Sequence, residues 1–217
     1  NLSSLQKVLI NVAWDLKVGQ FLSHKPPLNP EEKVEVVNMI KSLNQTSTLS
    51  NLSDILYVYF YNSDLIVSST GSFTPKEMYD LNHRFENFDY DKWVEFLKNE
   101  SKNNYHLIPY YDASGRSKNG LMLTYNLPIG SRTQTLGTIA VICDRDALSG
   151  IMHEMSYTEQ TQAYVVDSQN RLVMSTTGAA LPEDFDFSLL KSSSGNLFIP
   201  VEGKEFSVAY ISSDVMD

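Results

Sequence analysis

Apolar residues recur at helical spacing through the first part of the chain. Five of them lie alternately three and four positions apart. This is the spacing of the apolar contact residues of a coiled coil, and it extends over about two and a half heptads. These residues are Leu2, Leu5, Leu9, Val12 and Leu16. The spacing predicts one long helix over residues 1–23. This helix either pairs with a second copy of the chain or packs on its own domain.

A second helix is predicted after a proline-rich break. Asn29 precedes Pro30, and Glu32 follows three residues after Asn29, which is the pattern of a capping box at a helix N-terminus. The residues expected on the buried side of this helix are Val34, Val37 and Ile40. Its helical character fades in the polar run over 44–53.

Strand patterns begin at residue 55. Residues 55–61 read ILYVYFY, a run of β-favouring residues that predicts a central strand covered on both faces. A polar turn over 62–64 and a return strand over 65–69 complete a hairpin. The later elements expected from the pattern are helices near 75–85, 91–100 and 145–155, and strands near 105–110, 120–127 and 136–143.

The hairpin is repeated 107 residues further along the chain. Residues 55–77 align without a gap with residues 162–184, and seven of the 23 aligned positions are identical. The identical pairs are Tyr57/Tyr164, Val58/Val165, Leu65/Leu172, Ser68/Ser175, Thr70/Thr177, Gly71/Gly178 and Pro75/Pro182. The repeat predicts two tandem α+β modules, the second completed by a helix over 182–191 and strands over 196–201 and 205–211. The alternative is two unrelated hairpins that share common turn chemistry.

These features together resemble the double Cache domain, a tandem PAS-like sensor of bacterial receptors that lies outside the cytoplasm. The strings that carry the resemblance are DLIVSSTG at 64–71 and GTIAVICDRDAL at 137–148. The resemblance implies an α+β fold in which a long N-terminal helix precedes two PAS-like antiparallel-sheet modules, the second smaller. The expected divisions are a stalk helix and second helix over 1–50, a membrane-distal module over 51–146 and a membrane-proximal module over 147–217.

The resemblance also implies a function. A double Cache domain senses a ligand on the extracytoplasmic side of the cell membrane as part of a transmembrane signalling protein, with membrane helices on both flanks. The chain starts at Asn1 and stops at Asp217 straight after a strand pattern, as expected of a piece of such a receptor. The hairpin and the proline-punctuated helices resemble receptors that feed an AraC-type DNA-binding transcriptional regulator. A histidine kinase is the alternative output, and a ligand-free dimerisation spacer is the next interpretation.

Charge and cysteine content exclude several functions. Asp plus Glu (26) exceed Lys plus Arg (17), which gives a net charge of −9, and the basic residues form no cluster. Direct binding of nucleic acid or of an anionic membrane surface is therefore not expected. The single cysteine, Cys143, lies in an apolar run and is expected to be a buried small hydrophobe.

Catalytic motifs are absent from the sequence. It contains no nucleophile elbow and no glycine-rich phosphate loop, and its four histidines are isolated, so no catalytic residue, metal or cofactor is predicted. Asp89, Asp91 and Glu100 have the outer spacing of a calcium loop but lack its inner ligands. Carboxylate pairs such as Asp89/Asp91 or Asp144/Asp146 leave an enzyme of acid–base type as an alternative.

The residues best suited to bind a ligand are aromatic. The chain has 12 tyrosines, and Tyr57, Tyr59 and Tyr61 alternate along one strand and therefore share a face. Small-molecule pockets are mostly apolar with a few directed polar groups, so an aromatic hollow with an acid at its rim would suit an amine, amino-acid or sugar-like ligand. The predicted lining residues are Tyr57, Tyr59, Trp93, Tyr110, Tyr125 and Asp144.

The resemblance refines this prediction in two ways. Asp144 ends a strand and corresponds, by resemblance, to the ligand-anchoring aspartate of the family. Amino-acid-binding members carry Arg-x-Trp-Tyr, whereas this chain has Asp91 and Val94 around Trp93, which argues against the usual bidentate recognition of a carboxylate by arginine. The alternative to a pocket is that the tyrosines pack under the first helix with their hydroxyls at the surface.

Overall fold

The chain folds as two units, residues 1–148 and residues 149–217. Each is described by a computed structural model. The described residues are 2–50, 55–81, 84–86, 88–100, 105–111, 114–131, 134–154, 161–166, 169–176, 178–182, 185–201 and 204–212. The fold is α+β, with a large antiparallel sheet in the first unit and smaller antiparallel hairpins in the second, as the sequence predicts.

The first predicted helix is interrupted near its middle. Helix α1 (Leu2–Ala13) ends before Trp14, and helix α2 (Leu16–Phe21) begins after Asp15. Asp15 has extended backbone angles, and its carboxylate accepts a hydrogen bond from Lys17 N at 2.9 Å. An aspartate that satisfies the backbone in this way favours a new helix start over continuation of the old helix. The single helix over 1–23 is therefore two helices.

Helix α3 (Pro30–Ser50) begins with the predicted capping box. Asn29 Oδ1 accepts a hydrogen bond from Glu32 N at 2.9 Å, and Glu32 Oε2 accepts one from Asn29 N at 2.6 Å. The predicted buried stripe is wrong at Val34 and Val37, which are exposed, whereas Ile40 is half-buried. The buried residues are instead Val36, Met39 and Leu43. They keep helical spacing, so the helix is rotated about its axis relative to the prediction.

Seven strands form one antiparallel sheet in the first unit. Their bounds are β1 (Ile55–Phe60), β2 (Leu65–Ser68), β3 (Ser72–Phe73), β4 (Arg84–Phe85), β5 (Tyr105–Tyr111), β6 (Ser117–Leu127) and β7 (Gly137–Asp144). Their order across the sheet is β3-β2-β1-β7-β6-β5-β4. Strand β1 is buried along its whole length between β2 and β7, which confirms it as a central strand. Strands β3 and β4 are too short to leave a period-two pattern in the sequence.

Three helical segments connect these strands, and a fourth follows β7. They are α4 (Pro75–Leu81), α5 (Tyr90–Glu95), a π-helical turn (Phe96–Glu100) and α6 (Arg145–Glu154). A second capping box starts α4, where Glu77 Oε2 accepts a hydrogen bond from Thr74 N at 2.8 Å. Asp89 caps α5 by accepting one from Lys92 N at 2.9 Å. The acids at these helix starts therefore have structural partners.

The two faces of the sheet carry different covers. Side chains alternate along each strand, so Tyr57 and Tyr59 point to one face, and Leu56 and Val58 to the other. The first, which we name the aromatic face, packs against a cluster that includes Met78, Trp93, Phe96 and Leu97 of α4, α5 and the π-helical turn. The second, named the N-helix face, meets α1 and α3.

Helix α1 packs on the sheet of its own unit. Leu9 and Val12 are buried, and α1 contacts β6 and β7. Leu16 is 80% exposed, and the side chains of Leu2 and Leu5 lie outside the described residues. The described residues of the coiled-coil pattern therefore favour packing of α1 on its own domain over pairing with a second copy of the chain. Cys143 is a fully buried free thiol, as predicted.

The second unit repeats the first hairpin in nearly the same register. Strands β8 (Tyr164–Val166) and β9 (Leu172–Ser175) pair Tyr164 with Ser175, as β1 and β2 pair Tyr57 with Ser68. The hydrogen bond from Ser69 N to Leu56 O at 3.1 Å also recurs 107 residues later, from Thr176 N to Ala163 O at 3.0 Å. A bulge after Val165 ends the correspondence. The repeat is therefore present in the structure as well as in the sequence.

The rest of the second unit differs from the first. Strands β10 (Ser194–Val201) and β11 (Lys204–Ile211) form a hairpin that shares no ladder with β8 or β9 among the described residues. The predicted helix over 182–191 is wrong within the described positions, where one 3₁₀ turn, Phe187–Leu189, occurs. Asp186 accepts a hydrogen bond from Ser188 N at 2.9 Å, and this short-range capping competes with a longer helix.

Candidate functional site

Five of the six predicted lining residues belong to the aromatic side of the large sheet. Tyr57 and Tyr59 of β1 and Tyr110 of β5 point to the aromatic face, and Trp93 of α5 packs over it. Asp144 lies at the end of β7. Its side chain is on the same face of the sheet as those of the buried Ala140 and Ile142. Strand register, which the sequence does not reveal, brings these side chains to one side.

Tyr125 is not brought together with the other five. It pairs in register with Ile139, which in turn pairs with Val58 on the neighbouring strand, so all three point to the N-helix face. Tyr125 is half-buried there. The interpretation of tyrosines packed under the N-terminal helices therefore fits Tyr125. It is wrong for Tyr57 and Tyr59, which are buried on the opposite face.

Two buried hydrogen-bond donors of the aromatic face have no partner. The Tyr57 hydroxyl and the Trp93 indole Nε1 find none among the described residues, although each side chain is only 1% exposed. Burial raises the pKa of Tyr57 above its ordinary value, and the nearby Trp93 indole opposes that rise in part without making a hydrogen bond of normal geometry. A buried donor without a partner costs about 1–3 kcal/mol. The candidate site therefore contains two donors for which the described residues provide no acceptor.

The neighbouring tyrosines of β1, by contrast, are satisfied. Tyr59 donates its hydroxyl hydrogen to Asp64 Oδ1 at 2.7 Å, and Tyr61 donates to Leu97 O at 2.7 Å. Burial raises the pKa of Tyr61 to about 12, while its hydrogen bond with Thr138 opposes the rise. These hydroxyls hold the hairpin turn and the π-helical turn in place, which is a structural role.

Intramolecular contacts engage both carboxylate oxygens of Asp144. Its Oδ1 accepts a hydrogen bond from Asp146 N at 2.9 Å at the start of α6, and its Oδ2 lies 3.0 Å from Lys118 Nζ. The Lys118 and Asp144 side chains are 26% and 20% exposed. Lys118 is a site residue that sequence reasoning missed. The sequence shows which residues of β6 share a face with Lys118, but it does not show the register that places Lys118 beside β7.

Tyr110 lies directly against the backbone of its neighbouring strand. A Cβ atom built on Gly120 would come within 2.6 Å of Ile108 O and 2.9 Å of the Tyr110 ring. Gly120 pairs in register with Asp144 across the β6–β7 ladder, and Tyr110 pairs with Lys118 across the β5–β6 ladder. Glycine at this position therefore leaves room for the Tyr110 ring against the backbone of β6.

The two unpartnered donors provide the first prediction. Tyr57→Phe is expected to leave the free energy of unfolding unchanged or to raise it by about 1–2 kcal/mol, because it deletes a buried hydroxyl that has no partner. Tyr59→Phe, the matched control on the same strand, is expected to lower it by about 1–2 kcal/mol, because it deletes the bond to Asp64. Urea denaturation followed by circular dichroism measures both. Equal destabilisation by the two variants would show that the Tyr57 hydroxyl is satisfied in solution.

His106 is a half-buried histidine at the edge of the same cluster. Its ring packs edge-on against Phe96, with 4.6 Å between ring centroids, and its Nε2 has no partner among the described residues. Burial lowers the pKa of His106 to about 4. The folded state therefore holds this imidazole in its neutral form.

This lowered pKa predicts a loss of stability in acid. Above about pH 6.5 the imidazole is neutral in both states, and as the pH falls from 6.5 to 4 only the unfolded state binds the proton. Stability is expected to fall over this window by up to about 2 kcal/mol, a figure reduced for partial exposure. The unfolding free energy of the wild type relative to that of His106→Phe, measured from pH 7 to pH 4, should fall by that amount. A constant difference would contradict the prediction.

The carboxylates considered for catalysis have other partners. Asp89 caps α5 and lies 3.2 Å from Lys92 Nζ, and its hydrogen bonds with Lys92 lower its pKa. Asp91 is exposed. Across the part of the chain that the structure describes, no group of three or more metal-ligating side chains comes together. Nor is any helix in that part long and apolar enough to cross a bilayer.

Comparison with known proteins adds information about the fold. No protein-family model and no curated protein matches the sequence. Among solved structures, the sensory domain of the Campylobacter jejuni chemoreceptor Tlp3 with isoleucine bound is similar over 98% of this chain and 81% of that chain, with a TM-score of 0.52 and 14% identity. The ligand-binding domain of the Pseudomonas aeruginosa amino-acid chemoreceptor PctC in complex with GABA covers 95% and 82%, with a TM-score of 0.47 and 13% identity. The Vibrio cholerae LuxQ periplasmic domain covers 97% and 96%, with a TM-score of 0.38 and 18% identity.

The likeness to the Tlp3 sensory domain defines the fold of this chain. The chain shares the fold of that sensory domain, which agrees at the level of architecture with the resemblance stated from the sequence. An identity of 14% extends this conclusion to the fold and not to the ligand.

Proposed function

We propose that this chain is the extracytoplasmic ligand-sensing domain of a bacterial transmembrane signalling protein, and that it acts by binding and not by catalysis. The ligand is a small molecule, and its site lies in the first unit. The residues proposed to line it are Tyr57, Tyr59, Trp93, Tyr110 and Asp144. The Cache/PAS-like fold supports the class of function, and the side chains of the aromatic face support the site.

The observation that carries the proposal is the pair of unpartnered donors. Tyr57 O–H and Trp93 N–H are buried polar groups in a protein interior, where most such groups are satisfied. Functional sites are where unsatisfied groups are retained, because a ligand supplies the missing acceptors. Binding is therefore expected to stabilise the first unit by satisfying groups that destabilise it in the free protein.

The surroundings of the domain follow from the same proposal. The stalk and second helix over 1–50, the membrane-distal module over 51–146 and the membrane-proximal module over 147–217 would form one extracytoplasmic domain between membrane helices. A homodimer through the N-terminal helices would couple two copies. Ligand binding would shift a population between two arrangements of these helices.

The output is proposed to be an AraC-type DNA-binding transcriptional regulator, with a histidine kinase as the alternative. The support for the first is the sequence resemblance of the hairpin and the proline-punctuated helices to such receptors. The two differ in the domain encoded after residue 217. The flanking gene sequence distinguishes them directly, and hydrophobic spans on both sides would be expected in either case.

Ligand binding can be tested through the two tryptophans of the chain. Trp93 is buried at the proposed site, whereas Trp14 is 69% exposed on the N-terminal segment. A thermal-shift screen of amines, amino acids, sugars and carboxylates would identify a binding compound. In ¹H–¹⁵N spectra that compound is expected to move the indole N–H resonance of Trp93 and to leave that of Trp14 in place.

Three outcomes separate the interpretations. A thermal shift with a moved Trp93 resonance and no turnover supports a sensor. Turnover of the compound would favour the acid–base enzyme. The absence of any response would overturn the proposed site and leave the ligand-free spacer. Binding that moves neither resonance would overturn the proposed site alone.

A further inference from the structure

The two unpartnered donors of the aromatic face lie close to one another. Tyr57 O–H and Trp93 Nε1–H belong to the same buried cluster, and each side chain is 1% exposed. Burial raises the pKa of Tyr57, and the Trp93 indole is near enough to the hydroxyl to oppose that rise in part. Neither donor has a hydrogen-bond partner among the described residues. One acceptor atom placed between them could therefore serve both.

The surroundings of these donors carry no charge. The buried cluster and the half-buried residues packed against it contain no Asp, Glu, Lys or Arg at the described positions. The pKa of Tyr57 is raised by burial and affected by Trp93 and Tyr61, and no charged side chain contributes. An ionised group held at the donors would be buried without a countercharge. This is far more costly than burying an uncharged polar group that forms hydrogen bonds.

The charged side chains of this side of the sheet lie elsewhere. Tyr57 pairs with Ala140, whereas Asp144 lies four residues further along β7, which is about 13 Å at the usual rise per residue. Lys98 is exposed, and its Nζ lies over the neighbouring ring of Tyr59, 5.5 Å from the ring centroid. Neither charge is placed to balance an ion held between the two donors.

We infer, resting on the proposed function above, that the ligand presents an uncharged carbonyl group to Tyr57 and Trp93. A carbonyl oxygen has two lone pairs, so it accepts one hydrogen bond from the hydroxyl and one from the indole. It carries neither a charge nor a further hydrogen into these surroundings. The part of the ligand next to the carbonyl is hydrocarbon, because the side chains around the two donors are apolar and aromatic.

The other common polar groups fit these donors less well. A carboxylate accepts hydrogen bonds but brings a charge without a counterion, and an ammonium group brings both a charge and further donors. A hydroxyl group is neutral, but it adds a third hydrogen at a place where two already lack an acceptor. The inference therefore ranks a ketone above the matching alcohol, and both above the matching carboxylate and amine.

Matched compounds of similar shape test this order. The aliphatic set is 4-methylpentan-2-one, 4-methylpentan-2-ol, 4-methylpentan-2-amine and 3-methylbutanoate. The aromatic set is 4-phenylbutan-2-one, 4-phenylbutan-2-ol, 4-phenylbutan-2-amine and 3-phenylpropanoate. In each set an ionised oxygen of the carboxylate replaces one methyl group of the ketone. The ketone of at least one set is expected to bind with a Kd about tenfold or more below those of its carboxylate and amine, and about threefold below that of its alcohol.

Two tyrosine variants and one spectrum test the assigned hydrogen bonds. Tyr57→Phe is expected to weaken ketone binding about tenfold, although it does not lower stability. Tyr164→Phe is the matched control, because Tyr164 is the counterpart of Tyr57 in the repeat and its hydroxyl bonds to Gln162. It is expected to leave the Kd unchanged. In ¹H–¹⁵N spectra of the wild type, the ketone is expected to move the Trp93 indole proton downfield, as a new hydrogen bond does.

The outcomes distinguish this inference from the proposed function. Equal or tighter binding of the carboxylate, the amine or the alcohol would overturn the inference and leave the sensor intact. Ketone binding that Tyr57→Phe does not weaken would have the same meaning. If neither ketone binds but a compound of the wider screen moves the Trp93 resonance, the inference alone is overturned. If no compound of the wider screen binds, the proposed function is lost as well.

Discussion

Trp93→Ala is expected to lower the free energy of unfolding of the first unit by about 3–5 kcal/mol, because it truncates a large side chain in a packed interior. Trp93 is 1% exposed, and its ring lies 5.7 Å from that of Tyr79 and 6.1 Å from that of Phe85. Alanine would leave a cavity beneath α5 that the rigid sheet cannot fill, so both burial and packing contacts are lost. Urea denaturation followed by far-ultraviolet circular dichroism measures the change.

The second tryptophan supplies the control for this experiment. Trp14→Ala removes a side chain of the same size that is 69% exposed, and it is expected to change the free energy by less than about 0.5 kcal/mol. A similar small loss for both variants would mean that Trp93 is not packed inside the unit. In that case the aromatic cluster would not exist in the form described, and the proposed ligand site would lose its cover.

Gly120→Val is expected to lower the free energy of unfolding by about 1–3 kcal/mol, or more if the strands separate. Its first added atom would come within 2.6 Å of the carbonyl oxygen of Ile108 and within 2.9 Å of the Tyr110 ring. A backbone oxygen on a paired strand cannot move away without breaking the β5–β6 ladder. The Tyr110 ring would be displaced as well, so ligand binding at the proposed site is expected to weaken together with stability.

Gly19→Ala is the matched control for the steric argument. Nothing lies within 4 Å of a Cβ built on Gly19, which sits inside α2, so alanine is expected to raise stability by up to about 1 kcal/mol. The two glycine variants should thus shift the urea midpoint in opposite directions. A Gly120→Val protein as stable as wild type would show that β5 and β6 are further apart than their register indicates.

Local structure could be read from the sequence because short-range chemistry decides it. The capping box at Asn29 forms with the expected reciprocal hydrogen bonds, and Thr74 and Glu77 form a second one of the same kind. The hairpin of β1 and β2 has the predicted turn, and its copy in the second unit shares two ladder pairs in the same register. Each of these features depends on residues within a few positions of one another, whose preferences do not need the rest of the fold.

The sequence pattern failed where several local solutions were nearly equal. The apolar residues of α3 offer more than one stripe, and packing against the sheet selected Val36, Met39 and Leu43 instead of the stripe beginning at Val34. Asp15 could continue the first helix or cap a new one, and the structure has the cap. Likewise, residues near 182–191 carry a helix pattern but form one 3₁₀ turn among the described positions.

The order of residues along the chain was enough to predict the α+β class, the duplicated hairpin and the presence of aromatic residues on a central strand. These follow from periodicity and turn chemistry, which act over short distances. Three features needed the folded chain: Tyr125 faces away from the other predicted residues, Tyr57 and Trp93 are buried without described partners, and Lys118 holds Asp144. The reason is strand register, because a shift of one residue between neighbouring strands moves a side chain to the opposite face, and no local preference specifies that shift.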